Sequence, residues 1–339
     1  MHIFRNESHI HQILVNYRFF YVRLRSKFIP MKKTISTLLF AAFCLTAAAQ
    51  QKLTFEYAVK DTSHLKMDVY VPAQQNEQHS CMVFAFGGGF IGGARDDNQI
   101  PKLKDYYTQK GWVVISIDYR LGMKGQKSYD MVANLNKYER SIEMAGEDMI
   151  SATDYILKNL LTTPQFTINP DYIVLVGSSA GAITILEADY FLGNRIHGAE
   201  MLPDTFHYAG LMPFSGAIFS RKGKVKYRVQ PPAPTLFCHG TSDRLVKYTK
   251  IEFFNLGMYG SDALVKRFEK FDYPYQIRRY EGIGHDVAGY FKYEFELMDK
   301  FIDNYVFNHK KLQIDELYYN PEIKSVMKAN FKPKDMKGL

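Results

Sequence analysis

Residues 172–181 read Tyr-Ile-Val-Leu-Val-Gly-Ser-Ser-Ala-Gly, an apolar run rich in β-branched residues that stops at a G-x-S-x-G pentapeptide. A serine at the end of such a run could act as a nucleophile, and Ser179 is the candidate, provided that a base takes its proton and an acid holds the base. Residues 173–176 suit a strand buried on both faces of a parallel sheet, and residues 180–188 read as a helix leaving it. Ser179 then occupies the strand-to-helix corner. Gly177 and Gly181 fit a turn so tight that a Cβ would clash. The pentapeptide alone also fits a chance Gly/Ser-rich turn, but the strand before it and the helix after it argue for the nucleophile.

Three further segments supply what a serine nucleophile needs, in the expected order. Met82-Val-Phe-Ala-Phe86 is a second apolar strand that ends at Gly87, Gly88, Gly89 and Phe90, where bare backbone amides can turn toward a developing oxyanion. Pro234-Thr-Leu-Phe-Cys238 is a third strand, followed by His239-Gly-Thr-Ser-Asp243, which puts a carboxylate in the loop beyond a strand's carboxyl end. Tyr275-Gln-Ile-Arg-Arg-Tyr280 alternates like a strand and runs into Gly282-Ile-Gly-His285, leaving a histidine in a glycine-flanked loop. Asp243 is the candidate acid and His285 the candidate base. Asp243 also suits the cap of a helix expected to begin near Val246, but the order serine, acid, histidine favours catalysis.

The rival residues are less well placed. His64, His79, His197 and His207 lie outside any matching motif and read as surface or packing residues. Asp286 adjoins the candidate base, and the side chains of adjacent residues point apart. Asp118 precedes the nucleophile and reads as part of a buried strand-end network, while Glu147 and Asp148 read as a helix surface or a structural pair.

With these motifs in place, the chain resembles the α/β-hydrolase superfamily. Within it, the chain is similar to small bacterial carboxylesterases with an HGGGF-type oxyanion loop, including secreted feruloyl and acetyl xylan esterases. The resemblance also takes in Leu65-Lys-Met-Asp-Val-Tyr-Val-Pro72 and Val114-Ile-Ser-Ile-Asp-Tyr-Arg-Leu121. It implies that Ser179 attacks an ester carbonyl, that His285 accepts and later returns the proton, and that Asp243 fixes the imidazole tautomer. It further implies that the amides of Gly88, Gly89 and Ala180 bind the oxyanion and that His239 is a structural part of its loop. The one departure is Phe86, where such esterases carry a histidine that is expected to brace the loop.

The elements needed to position these groups are legible as alternation. Strand signals fall near 53–58, 66–71, 82–86, 113–119, 172–177, 210–215, 234–239 and 275–280, with helical patterns between most of them. This predicts an α/β fold with a mainly parallel, eight-stranded, doubly wound sheet whose first strands are antiparallel. The chain has 339 residues, 46% of them hydrophobic, enough for one large domain over 50–308. The short stretch before the glycine loop leaves no room for a large amino-terminal cap domain. In such sheets ligands bind beyond the carboxyl ends of the strands, where all four motifs fall.

Residues 31–49 have a positive start, an apolar stretch and an Ala-x-Ala exit, and read as a secretory signal peptide that makes the protein exported, periplasmic or secreted. Residues 1–30 read as an overextended start. The apolar stretch is short of the roughly 20 residues of a membrane span. Residues 1–49 hold seven Lys/Arg and one Glu, a net of +6, so their removal takes the formal charge from +8 to +2. That leaves no electrostatic case for nucleic acid. Residues 309–339 form a basic tail with interspersed acids, expected to be solvated or loosely docked. Cys81 and Cys238 fall at opposite ends of their strands and are expected as buried thiols rather than a disulfide. No cofactor and no metal site is expected, since the cysteines lack zinc spacing and a serine mechanism needs no metal.

The substrate is read least directly. Acyl and alcohol pockets must come from 91–98, 122–137, 191–209 and 219–233. Phe90, the candidate substrate-binding residue, and Tyr129, Phe206, Tyr208, Phe214 and Tyr227 could supply aromatic walls. The expected partner is a small-molecule or polysaccharide-linked ester, with acetyl or feruloyl groups of plant polysaccharides implied by the resemblance. Two alternatives stand beside this: a prolyl-oligopeptidase-like serine peptidase, and a catalytically inactive hydrolase fold used for binding.

Overall fold

The computed structural model describes residues 51–74, 78–126 and 134–326. The segments 1–30 and 31–49, Tyr129 and the tail beyond 326 lie outside the described residues.

The apolar runs become the central strands because a strand flanked by two others and covered on both faces favours apolar side chains. Along the chain come β1 (Lys52–Lys60), β2 (Ser63–Tyr70), β3 (His79–Ala85), α1 (Pro101–Gln109), β4 (Val113–Ile117), α2 (Leu135–Tyr155), β5 (Ile168–Ser178) and α3 (Ala180–Asn194). There follow β6 (Gly210–Phe214), β7 (Ala217–Ser220), β8 (Thr235–Gly240), β9 (Lys250–Phe253), β10 (Leu256–Gly260), α4 (Ser261–Lys270), β11 (Tyr275–Tyr280), α5 (Phe295–Phe301) and β12 (Gln313–Tyr318). Every residue of β4, of β6 and of 173–176 in β5 is buried.

Nine strands form one sheet in the order β1-β2-β4-β3-β5-β6-β8-β11-β12. β2 is antiparallel to both of its neighbours, β1 and β4, and every other pairing in the sheet is parallel. This is the mainly parallel sheet expected, with all eight expected strands present and one more. The extra strand corrects the reading of 309–339 as a loosely docked tail, because 313–318 pair with β11 as the sheet's edge. Ion pairs add to the backbone pairing. Asp315 accepts two hydrogen bonds from the Arg279 guanidinium, each at 2.7 Å, and Glu316 accepts one from Arg278 at 3.1 Å. A charged edge also discourages pairing with another chain.

Parallel register brings the strand ends into line. Ala85 lies opposite Gly177, Ser178 opposite Phe214, Phe214 opposite Cys238, and Gly240 opposite Tyr280, which in turn faces Tyr318. The loops that follow β3, β5, β8, β11 and β12 therefore leave the sheet along one edge. They carry the glycine run, Ser179, Asp243, His285 and the chain's last described residues.

A second, three-stranded antiparallel sheet, β7-β10-β9, was not legible in the sequence. It replaces the helix expected near Val246. The Asp243 carboxylate does accept the N–H groups of Leu245 and Val246, as a cap would, but the chain then runs into the alternating strand β9, and the helix waits until Ser261. Cys81 and Cys238 are buried free thiols.

Candidate active site

Ser179 sits between β5 and α3 with φ 51° and ψ −114°, a conformation that costs a non-glycine residue on the order of 1–3 kcal/mol. Its neighbours are glycines because the corner brings backbone against backbone. A Cβ on Gly181 would lie 2.0 Å from the Ala85 carbonyl oxygen, and one on Gly177 would lie 2.4 Å from that of Gly181. The Ser179 N–H donates to the Phe214 carbonyl at 2.9 Å, pinning the corner to β6. Ser178 donates its hydroxyl to the Ala288 carbonyl at 2.8 Å, tying the serine corner to the short 3-10 helix His285–Lys292.

The structure brings the three expected side chains together. Ser179 Oγ and His285 Nε2 are 2.8 Å apart, and His285 Nδ1 lies 2.8 Å from Asp243 Oδ2. A carboxylate only accepts, so Nδ1 carries the hydrogen, and Nε2 is left bare to receive the serine proton. Asp243 and His285 are buried, whereas Ser179 is half-buried and reachable from solvent.

A second imidazole supports the carboxylate. His239, fully buried at the end of β8, has Nε2 at 3.0 Å from the Val246 carbonyl and 3.4 Å from Asp243 Oδ2. Facing two acceptors, Nε2 carries the hydrogen, and Ser261 donates its hydroxyl to Nδ1 at 2.8 Å. Burial pushes the Asp243 carboxyl up, but hydrogen bonds from His239 and His285 outweigh it and hold the group well below the usual carboxylate range. The acid therefore stays ionised, as an orienting group must.

The glycine loop lies against this corner, where a Cβ on Gly87 would meet Ser178 Oγ at 3.0 Å and Ser179 Cβ at 3.3 Å. Gly88 and Gly89 have φ of 139° and 63°, values that favour glycine. The Gly87 carbonyl accepts from Gln99 Nε2, and the Gly88 carbonyl accepts from the N–H groups of Ile91 and Gly92. Peptide planarity sends the next N–H to the opposite side each time, so the amides of Gly88 and Gly89 face away from those partners. Ala180 is the first residue of α3, and its N–H has no acceptor in the helix's own ladder.

Phe86, where the resemblance expects a histidine, braces the loop by packing. Its ring stacks on Tyr119 with centroids 4.4 Å apart, and a Cβ on Gly93 would collide with it at 2.4 Å. Tyr119 donates its hydroxyl to the Phe86 carbonyl at 2.7 Å, and the Gln99 amide holds Gly87 at both N–H and carbonyl. Gln99 and Tyr119 were missed as loop supports. The only signal was Tyr119's place in Asp118-Tyr119-Arg120, read there as a structural network. That network exists: Arg95 joins Asp118 to Asp68, and Arg120 joins Glu147 to Asp148.

Phe90 is corrected. It is 2% exposed, lies edge-on to Tyr119, and has almost no surface to offer a substrate. Phe206, Tyr208 and Phe214 are likewise buried, and Tyr227 packs between Tyr190 and Tyr273. Phe206, Tyr208 and Phe214 are core and Tyr227 packs against it, which aromatic composition alone does not reveal. Among the other histidines, His79 is buried against the Gly111 carbonyl, His197 stacks on Phe191, and His64 is exposed beside Glu56. Among the described residues no group of three or more His, Cys, Asp or Glu is arranged to hold a metal ion, and no helix is long and apolar enough to cross a membrane.

Comparison with known proteins follows the same lines. Residues 67–188 match the BD-FAE family. No curated protein matches the chain. Among solved structures, Thermogutta terrifontis esterase 2 with bound butyrate is 20% identical with a TM-score of 0.53, covering 74% of this chain and 93% of that one. The same esterase phosphorylated by paraoxon is 19% identical with a TM-score of 0.53, again over 74% and 93%. The strand order, the register and this likeness together make the chain a protein of the α/β-hydrolase fold, whose residues 67–188 are similar to the BD-FAE family.

Proposed function

We propose that the protein is an exported serine carboxylesterase. The observation that carries the reading is the unbroken relay from Ser179 Oγ through His285 to Asp243, with both links at 2.8 Å, beside a glycine loop packed against the serine corner. Ser179 Oγ attacks the ester carbonyl carbon as its proton passes to His285 Nε2. The carbonyl oxygen takes the electron pair and is held by the amides of Gly88, Gly89 and Ala180. Collapse of this intermediate expels the alcohol, which leaves with the proton from His285, and an acyl-serine remains. Water then repeats the sequence, losing its proton to His285 and releasing the acid. The oxyanion amides are the largest electrostatic contribution, each donor being worth on the order of a hundred to a thousandfold in rate.

Acetyl or feruloyl groups on plant polysaccharides are the proposed substrates. The match of 67–188 to BD-FAE and the reading of 31–49 as an export signal support this class, since an exported enzyme meets polymers outside the cell. Sequencing the amino terminus of the protein recovered outside the cytoplasm tests export, with Gln50 expected first.

The deciding experiment compares the wild type with Ser179→Ala on p-nitrophenyl acetate, a feruloyl ester, acetylated xylan and a chromogenic dipeptide. Ester cleavage that is lost in the variant supports the reading. Preferred cleavage of the dipeptide replaces it with a peptidase, and no turnover of any substrate leaves a binding protein. Paraoxon provides a direct label because an esterase of this fold is phosphorylated by it. Mass spectrometry is expected to find the phosphoryl group on Ser179, and on no residue of Ser179→Ala.

A further inference from the structure

We infer that residues 319–326, which follow β12, are a strap that positions His285, with Ser325 as its clasp. After β12 the chain turns at Asn320, whose side chain accepts the Glu322 N–H at 2.9 Å while its carbonyl accepts the Ile323 N–H at 3.2 Å. This brings Ser325 and Val326 back over the loop between β11 and the His285 helix. The Ser325 hydroxyl accepts the Gly284 N–H at 3.1 Å and donates to Asp286 Oδ2 at 2.5 Å. The Val326 N–H donates to Asp286 Oδ1 at 3.0 Å. One hydroxyl thus bridges the residues on either side of His285, and both oxygens of the Asp286 carboxylate are taken by the strap.

The loop between β11 and His285 is tied to the Asp243 loop ahead of the histidine, where the Gly282 N–H donates to Thr241 Oγ1 and the Ile283 carbonyl accepts from the Ser242 N–H, each at 2.9 Å, and the strap adds bonds at the residues on either side of it. The loop contains Gly282 and Gly284, and Gly282, with φ 72°, has open space where a Cβ would stand. The His285 ring is held from one side by Asp243, and its backbone is fixed in the loop by neighbours whose outer bonds go to the strap. β12 makes this possible through register: Tyr318 is level with Tyr280, and the Glu281 N–H donates to the Tyr318 carbonyl at 2.9 Å, so the strap leaves the sheet where the histidine loop leaves it. Ser325 acts through the loop and is a positioning residue. The geometry also gives Asp286 a role distinct from the acid, since its carboxylate faces the strap and that of Asp243 faces the imidazole.

The inference rests on reading His285 as the base, and its test has a readout that does not require activity. In the full chain, Ser325→Ala removes both side-chain bonds, Val326→Pro removes the backbone donor, and Ser325→Thr keeps the hydroxyl. Hydrogen exchange followed by mass spectrometry over 281–291 is expected to quicken about tenfold in Ser325→Ala and Val326→Pro and to return toward wild type in Ser325→Thr. On p-nitrophenyl acetate, kcat is expected to fall about tenfold in the first two variants with KM within about twofold, as for a misplaced base, and Ser325→Thr to recover. Unchanged exchange over 281–291 in both loosening variants overturns the strap. Faster exchange with unchanged kcat overturns its positioning role. A wild type that cleaves no ester defeats the proposed function and leaves the exchange result to decide the strap.

Discussion

The Phe86 ring lies 4.4 Å from that of Tyr119 in a stacked pair, and the same tyrosine's hydroxyl donates to the Phe86 carbonyl. One residue thus grips both the side chain and the backbone of the position that leads into the glycine loop. Tyr119→Phe keeps the stack and drops the hydroxyl, leaving a buried carbonyl unsatisfied, at a cost of about 1–3 kcal/mol. Gln99→Leu frees Gly87 at both of its polar groups. Each variant is expected to lower kcat on p-nitrophenyl acetate by about tenfold or more, Gln99→Leu the more severely, with KM little changed. A full-rate Gln99→Leu shows that the loop holds itself.

His239 and His285 share one carboxylate. His239→Phe keeps a buried ring but removes the Nε2 hydrogen bonds to Val246 and Asp243, so the carboxylate loses a partner and the loop a tie. The expected result is a fall in kcat of about tenfold to a hundredfold, smaller than the loss in His285→Ala or Ser179→Ala, which is roughly a millionfold if the three act as a unit. Equal losses at the two histidines show that His239 does more than support.

Gly181 and Gly92 make a matched test of packing. A methyl at 181 meets the Ala85 carbonyl oxygen at 2.0 Å and two further backbone atoms of 85 and 86 at 2.5 Å, whereas at 92 it meets nothing within 4 Å. Gly181→Ala is expected to cost about 3 kcal/mol or to prevent folding, and Gly92→Ala less than about 0.5 kcal/mol. Urea unfolding followed by circular dichroism separates them.

Two buried acids on α3 set a pH dependence of stability. Burial pushes Glu187 up to about 8 although it accepts the Phe219 N–H, and pushes Asp189 up to about 7 although it accepts the Ala233 N–H. Both are protonated in the folded protein at pH values where the unfolded chain has already lost those protons. Their contribution is complete below about pH 4 and is lost as pH rises through the folded values. The Tm is expected to fall by on the order of 5 °C between about pH 5.5 and pH 8.5, and Glu187→Gln with Asp189→Asn to flatten that slope. Asp243 works in the opposite sense. Its depressed value supplies stability at neutral pH that fades as the solution is acidified below the ordinary carboxylate range, so Asp243→Asn is expected to lose its stability deficit in acid.

Much of this molecule could be read along the chain. The eight expected strands, the corner at Ser179, the glycine loop after β3 and the two loops that deliver Asp243 and His285 all rest on local signals. A buried run of β-branched residues, a glycine where a Cβ cannot fit and an alternating strand are imposed by the nearest few residues and by sterics. That is why three side chains spread from 179 to 285 could be nominated without coordinates.

What surrounds those side chains was decided by folding. His239 stands four residues before Asp243 and was expected as part of its loop, but Gln99 grips Gly87, Tyr119 grips Phe86 and Ser325 clasps the loop of His285, and no one of these three belongs to a spacing pattern with its partner. Phe90 went into the core, the segment after Val246 became a strand, and 313–318 joined the sheet for the same reason. Each outcome depends on which distant surface arrives alongside, and that is fixed only when parallel register lines up the strand ends.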